Sequence, residues 1–246
     1  VRTARRSWAH GLPELAIAGT RSVVNAPIPI RPAATVIVLR EVSARGLEVL
    51  LVQRAGELAF HGGAWVFPGG RVEREDLAGG DELSGARMAG VRETREEAGL
   101  SLEPDALVPF SHWTTPEGRP RRFSTWFFLA EIAPHFEVVV DGGEIHAHRW
   151  LTPEAALVLR AEGQIDLPPP TFVSLSVLTR CARVADALAL ARAQEPPVFA
   201  PRPRDLDDGV VSLFPGDAAY EGGELTAAGA RHRLWMLASG YRYERS

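Results

Sequence analysis

Phe67-Pro68-Gly69-Gly70, followed by Arg92-Glu93-Thr94-Arg95-Glu96-Glu97-Ala98-Gly99-Leu100, is the part of this chain that decides its fold. Taken as a helix, the second stretch puts Glu93, Glu96 and Glu97 at i, i+3 and i+4, so three carboxylates project from one face and can converge on one point. Gly99 stands where a left-handed glycine closes a helix. The acids therefore crowd the negative end of the helix dipole, where each is disfavoured by roughly 0.3–1 kcal/mol, a cost that a hard divalent cation offsets. An isolated run of this kind is more often a solvated acidic face. The glycine turn upstream reverses that preference.

These residues resemble the signature of the Nudix hydrolases, Gly-x5-Glu-x7-Arg-Glu-U-x-Glu-Glu-x-Gly-U, with U apolar. The second half matches, with Thr94 in place of the first U. The first half departs, because 21 residues, Arg71 to Val91, stand where the signature has 13. The signature's first Glu then has two candidate counterparts: Asp76 counting forward from Gly70, Ser84 counting back from Arg92. Gly79-Gly80-Asp81 reads as the tip of an inserted loop, and the glycines and acids of residues 73–83 predict a surface excursion that tolerates shortening.

Upstream, Leu50-Leu51-Val52-Gln53-Arg54-Ala55, Gly63 and the glycine turn keep the spacing of the coenzyme A diphosphatase branch of that family, with Val52 replacing a Thr and Ala59 a second Arg. Downstream, Trp113-Thr114-Thr115-Pro116 and Arg121-Arg122-Phe123-Ser124-Thr125-Trp126-Phe127-Phe128 are similar to a strand pair of its peroxisomal-type members, which also carry an inserted signature. The resemblance covers roughly residues 30–180.

The resemblance implies an α/β fold, a Nudix-type α/β/α sandwich around a mixed β-sheet, here with a C-terminal helical extension. It implies a diphosphatase that cleaves coenzyme A or acyl-coenzyme A. Alternatives are a nucleoside-diphosphate-sugar or dinucleotide diphosphatase and, from another class, a non-catalytic ligand sensor on the same scaffold. Mg2+ or Mn2+ would be held by Glu93, Glu96 and Glu97 with a backbone carbonyl near Gly69 or Gly70, and Glu93 and Glu97 would be catalytic. Glu144, just before the strand at 145–150, is the candidate for a further ligand or the base; after Gly142-Gly143 its reading as a solvated turn acid stays open. Arg54, the branch's retained Arg, and Arg71, Arg121 and Arg122 are candidates for substrate phosphates. Arg92 is expected to orient an acid through a forked contact. Trp65, Trp113 and Trp126 are candidates to stack on a nucleobase, with core packing as the default. His146 and His148 alternate on one strand without the partners a zinc site needs.

Composition points the same way. The 246 residues carry a net charge of −4 and a pI near 6.0, so there is no bulk attraction to nucleic acid or an anionic membrane. The expected partner is a small-molecule nucleotide or coenzyme A substrate. All 27 basic residues are Arg, which fits a bias of codon composition, although Arg also supplies forked donors for phosphate. Cys181 is the sole cysteine, which excludes an intrachain disulfide and suits a reducing cytoplasm. No apolar run approaches the length of a membrane span.

Residues 1–30 read as an N-terminal arm, 31–166 as the catalytic domain, and 167–246 as a helical and extended region packed on that domain or at a homodimer interface. Within the domain, strands are expected at 34–42, 47–54, 107–113, 123–132, 138–140 and 145–151, with helices from 86 to 98 and from Thr152-Pro153 onward. Residues 171–194 read as one helix whose stripe of Leu175, Leu178, Ala182, Ala185 and Ala189 must be buried on the sheet or on a second subunit.

Overall fold

The computed structural model describes residues 28–43, 46–56, 63–78 and 80–246. The expected arm up to residue 27, the substituted Ala59 and the loop-tip residue Gly79 lie outside them.

Two strands, β1 (Ile30–Val42) and β2 (Gly46–Arg54), form an antiparallel hairpin. Their apolar runs are near-continuous because both faces are covered. Val36, Val38, Leu50 and Val52 face one core, Ile37, Leu39, Val49 and Leu51 the other. Two short strands follow, β3 (Trp65–Val66) and β4 (Gly69–Arg71), then the helix α1 (Glu82–Ala98). Strands β5 (Val108–Thr114), β6 (Arg122–Glu131) and β7 (Ile145–Leu151) complete the domain, with β6 parallel to β1 and antiparallel to β5. This mixed sheet lies between helices, as the resemblance implies.

A splay in the sheet places the site. Val49 pairs with both Leu39 of β1 and Leu151 of β7, while Val52 pairs with Val66 of β3 and His148 of β7. Strands β1 and β3 therefore share one edge of β2. Farther along, Ala33, Ala34 and Thr35 of β1 pair with Arg71, Gly70 and Gly69 of β4. The segment carrying the glycine turn is thus wedged between two central strands that have parted.

Three expectations are corrected. Helix α1 begins at Glu82 rather than 86, because Asp81 Oδ1 accepts the Ser84 N–H at 2.8 Å and caps it. Residues 138–140 form no strand; the Val139 N–H bonds instead to the Ala98 carbonyl at the end of α1. The long helix is broken into α3 (Pro169–Leu178) and α4 (Val184–Arg192), which follow α2 (Pro153–Ala161). At the break Asp186 accepts the Arg183 N–H and Glu41 the Val184 N–H, each at 3.0 Å, so a new helix start is capped from outside. The break also changes the phase: Val184, Ala187 and Ala191 are buried, while Ala182, Ala185 and Ala189 are exposed. Leu175, Leu178, Val184, Ala187 and Ala191 join the core on the sheet of this chain.

After β8 (Val198–Phe199), which pairs with β5, comes a sheet that the sequence reading did not anticipate. It comprises β9 (Arg202–Leu206), β10 (Gly209–Leu213), β11 (His232–Leu237) and β12 (Gly240–Arg245), all antiparallel. Phe214 and Leu234 enter the core around Trp113, whose ring stacks on Phe199 at 4.0 Å. The excursion between β10 and β11 is held by Asp217, which receives both arms of Arg233 at 2.7 and 2.6 Å and the N–H groups of His232 and Ala219 at 2.8 Å. No helix among the described residues is long and apolar enough to cross a membrane.

Candidate functional site

Helix α1 crosses β1 and β4, and its C-terminal half carries the acids over the glycine turn. Gly99, at φ 69°, closes it as expected, its N–H returning to the Arg95 carbonyl at 3.0 Å. Glu97 is 5% exposed and accepts the Gly69 N–H into Oε2 at 2.9 Å. Glu93 lies directly over Gly70: a Cβ at position 70 would come within 2.4 Å of its carboxyl carbon and Oε1. Glycine is required there by close approach.

Arg92 organises the second layer. Its Nη2 and Nε donate to the two oxygens of Asp76 at 2.9 and 3.3 Å, its Nη1 to Glu93 at 2.8 Å and Glu96 at 3.2 Å, and its Nη2 also to the Arg71 carbonyl at 2.9 Å. Asp76, not Ser84, therefore answers Arg92 across the insertion. Ser84 belongs to the start of α1.

The charges concentrate around Glu97. Burial raises its pKa to about 8, with the negative charges of Glu93 and Glu144 adding to the effect and the Gly69 bond and Arg54 opposing it. Burial also raises Glu93, against its contact with Arg92 and with help from Glu96 and Glu144. Arg54, at the end of β2, is thus brought together with Glu97; its Nε is buried without a hydrogen-bond partner among the described residues. Glu144 is brought to the same neighbourhood by a turn in which Asp141 accepts the Glu144 and Ile145 N–H groups at 3.0 and 2.9 Å. Asp141 escaped the sequence reading, although Asp before Gly-Gly is a recognisable side-chain-capped turn.

Other candidates stand apart. Arg71 is largely exposed and pairs with Glu73 at 3.5 Å. Arg121 is exposed, and Arg122 donates to the Thr115 carbonyl at 3.2 Å. Arg122 pairs with Ile30, whereas Gly70 pairs with Ala34; four positions along β1 separate them by about 13 Å. Trp113 is core, Trp126 packs beside His112 at 4.7 Å, and Trp65 borders a cavity.

Among the described residues no three His, Cys, Asp or Glu side chains form a ready metal-holding group. Glu93 and Glu96 both accept from Nη1 of Arg92, and the Glu96 side chain stays 53% exposed. The donor set nonetheless suits a hard cation. Glu97 is buried against two other carboxylates, and oxygen ligands are what magnesium and manganese take.

Residues 29–170 match the model of the NUDIX domain. Putative nudix hydrolase 7 of Caenorhabditis elegans is 26% identical over 228 residues, 77% of this chain and 74% of that protein. Acyl-coenzyme A diphosphatase NUDT19 of Homo sapiens is 35% identical over 130 residues, 50% of this chain and 35% of its own length, so the chain spans about a third of that relative. The human m7GpppN-mRNA hydrolase NUDT17 is 30% identical over 151 residues, 52% of this chain and 44% of its own. Among solved structures, a NUDIX hydrolase from Alicyclobacillus acidocaldarius aligns with a TM-score of 0.60 at 25% identity, covering 67% of this chain and 97% of that one.

Proposed function

Because this chain belongs to the Nudix hydrolase family, whose members act on pyrophosphate bonds, we propose that it cleaves the diphosphate linkage of coenzyme A or an acyl-coenzyme A. The observation that carries the hydrolytic reading is the burial of Glu97 beside Glu93 and Glu144 against the glycine turn. A ligand sensor has no use for carboxylates held at such a cost. The coenzyme A assignment rests on the spacing retained across residues 50–70 and on the 35% identity with a relative named as an acyl-coenzyme A diphosphatase. The relative named as an mRNA cap hydrolase favours the second reading, a dinucleotide-type diphosphate.

The family generally uses divalent metal ions. Mg2+ or Mn2+ would be held by Glu93 and Glu97, with Glu96 and the Gly70 carbonyl as further ligands, and when bound it neutralises phosphate charge and acidifies water. The chain's own groups do the rest. Gly69 orients Glu97 through its N–H, Arg92 orients Glu93, and Arg54 offsets the negative charge gathered around Glu97 and the diphosphate. A carboxylate oxygen of Glu144 takes the proton of the water that attacks phosphorus. One P–O bond of the anhydride breaks, releasing a phosphopantetheine product and adenosine 3′,5′-bisphosphate.

The test is a hydrolysis panel in which coenzyme A, an acyl-coenzyme A, dephospho-coenzyme A, ADP-ribose, NADH and a cap dinucleotide are compared side by side with magnesium or manganese. The highest kcat/KM is expected for the coenzyme A group. Equal values for coenzyme A and ADP-ribose would overturn the specificity and leave a general diphosphatase.

A further inference from the structure

A cavity of about 350 Å³ opens on the face of the sheet that carries Trp65 and Leu51, away from α1, and is lined by Gln53, Trp65, Arg160, Gln164, Ile165 and Asp166. Its size lies at the lower end of the range for small-molecule sites. The wall is built by the end of α2. The N–H groups of Gly163 and Gln164 turn back to the Arg160 and Leu159 carbonyls at 3.0 and 2.9 Å, and the Trp65 N–H donates to the Asp166 carbonyl at 2.9 Å, which pins the loop to β3.

Two charged groups of the wall have no ion-pair partner among the described residues. The Arg160 guanidinium lies 3.4 Å from the ring centroid of Tyr241 and 5.7 Å from that of Phe172. Its Nε is buried with no hydrogen-bond partner, and no carboxylate among the described residues pairs with it. Asp166 also has no side-chain partner among them. A guanidinium laid on aromatic faces keeps its in-plane N–H donors for an anion, and a free carboxylate accepts from hydroxyls. Tyr241 comes from β12, so the unanticipated C-terminal sheet props the arginine.

The cavity is also within reach of the acids. Strand β2 ends at Arg54, so Gln53 of the cavity wall is the chain neighbour of the arginine whose charge acts on Glu97. Trp65 precedes Gly69 by four residues, at most about 14 Å of chain.

We propose that this cavity is the second half of the substrate site and takes a phosphorylated ribose, with Arg160 binding the ribose phosphate and Asp166 a ribose hydroxyl. The identity of the sugar phosphate rests on the coenzyme A reading above. The second phosphate is thereby received at Arg160 rather than at Arg121 or Arg122.

Calorimetric titration of the full chain, with magnesium present, against adenosine 3′,5′-bisphosphate and adenosine 5′-monophosphate tests this. The bisphosphate should bind about 10- to 100-fold more tightly, the scale of one charge-assisted contact. Arg160→Met should erase that difference, and Arg160→Lys, which keeps the charge and the stem, should retain only part of it. Asp166→Asn should leave the difference intact and remove any preference for the ribose over the 2′-deoxyribose form. Equal affinities in the wild type, or a preference that survives both Arg160 substitutions, would overturn the proposal. If the preference follows Arg160 but coenzyme A is not hydrolysed, the cavity assignment stands and the substrate reading falls. If coenzyme A is hydrolysed while the preference is absent, the reverse holds.

Discussion

The backbone N–H of Gly69 donates to Oε2 of Glu97 at 2.9 Å, joining residues 28 positions apart. This bond draws the glycine turn beneath the last two turns of α1 and holds a buried carboxylate where Glu93 and Glu144 act on it.

Glu93→Gln and Glu97→Gln should each lower turnover by more than about tenfold, a barrier increase above about 1.4 kcal/mol. The amide keeps the shape, and its carbonyl still accepts the Gly69 N–H, so circular dichroism should be unchanged. Turnover above a tenth of wild type in both variants would contradict their roles.

The raised pKa of Glu97 predicts a pH dependence of stability. Its ordinary value is 4.5 and its folded value about 8. Between these the folded chain keeps a proton that the unfolded chain has lost, so stability declines as pH rises from 4.5 to 8 and levels off above. Thermal melts in chelator should show the midpoint falling across that window, with less fall in Glu97→Gln. Magnesium should restore stability most at the alkaline end.

Gly70→Ala should reduce activity about as much as Glu93→Gln. The added methyl would sit 2.4 Å from the Glu93 carboxyl carbon, and that side chain must leave its place. Thermal midpoint and turnover, measured together, separate this local displacement from unfolding: only turnover should drop substantially.

The insertion should not be dispensable at its C-terminal end. Deleting residues 77–82 removes Asp81, whose side chain caps α1, and Glu82, its first residue. Asp81→Ala alone should cost about 1 kcal/mol in urea unfolding. Asp76→Ala, which frees the Arg92 fork, should lower kcat more than it lowers stability. A fully stable deletion variant would show that the cap is replaceable.

Arg233→Met should destabilise by about 3–5 kcal/mol, because it leaves Asp217 buried without its forked partner. Burial alone would raise the Asp217 pKa, but Arg233 and the N–H bonds from His232 and Ala219 outweigh it and hold the group at about 2. The stability it contributes is present above its ordinary value of 3.8 and declines as pH falls toward 2. Acid unfolding of wild type and Arg233→Met, compared by fluorescence, checks both statements.

Short-range chemistry made much of this protein legible from sequence alone. Gly69-Gly70, the 3.6-residue periodicity of Glu93 and Glu97, the left-handed Gly99 and the Thr152-Pro153 helix start each depend on a few adjacent residues, and each is observed. The doubly buried runs of β1 and β2 were visible as unbroken apolar stretches. Tertiary structure decided what depends on distant partners. Asp76 and Ser84 were equivalent by counting, and only the fold of the insertion brings Asp76 to Arg92. Helical spacing put Glu96 with Glu93, and both accept from Nη1 of Arg92. The break between α3 and α4 depends on Glu41, some 140 positions upstream, capping an N–H that no local pattern marks. The C-terminal sheet went unread because short strands separated by a long excursion gain stability only through Asp217, Arg233 and the aromatic core they meet. For the same reason Arg160 was invisible as a site residue: its seat on Tyr241 exists only once β12 has folded against α2.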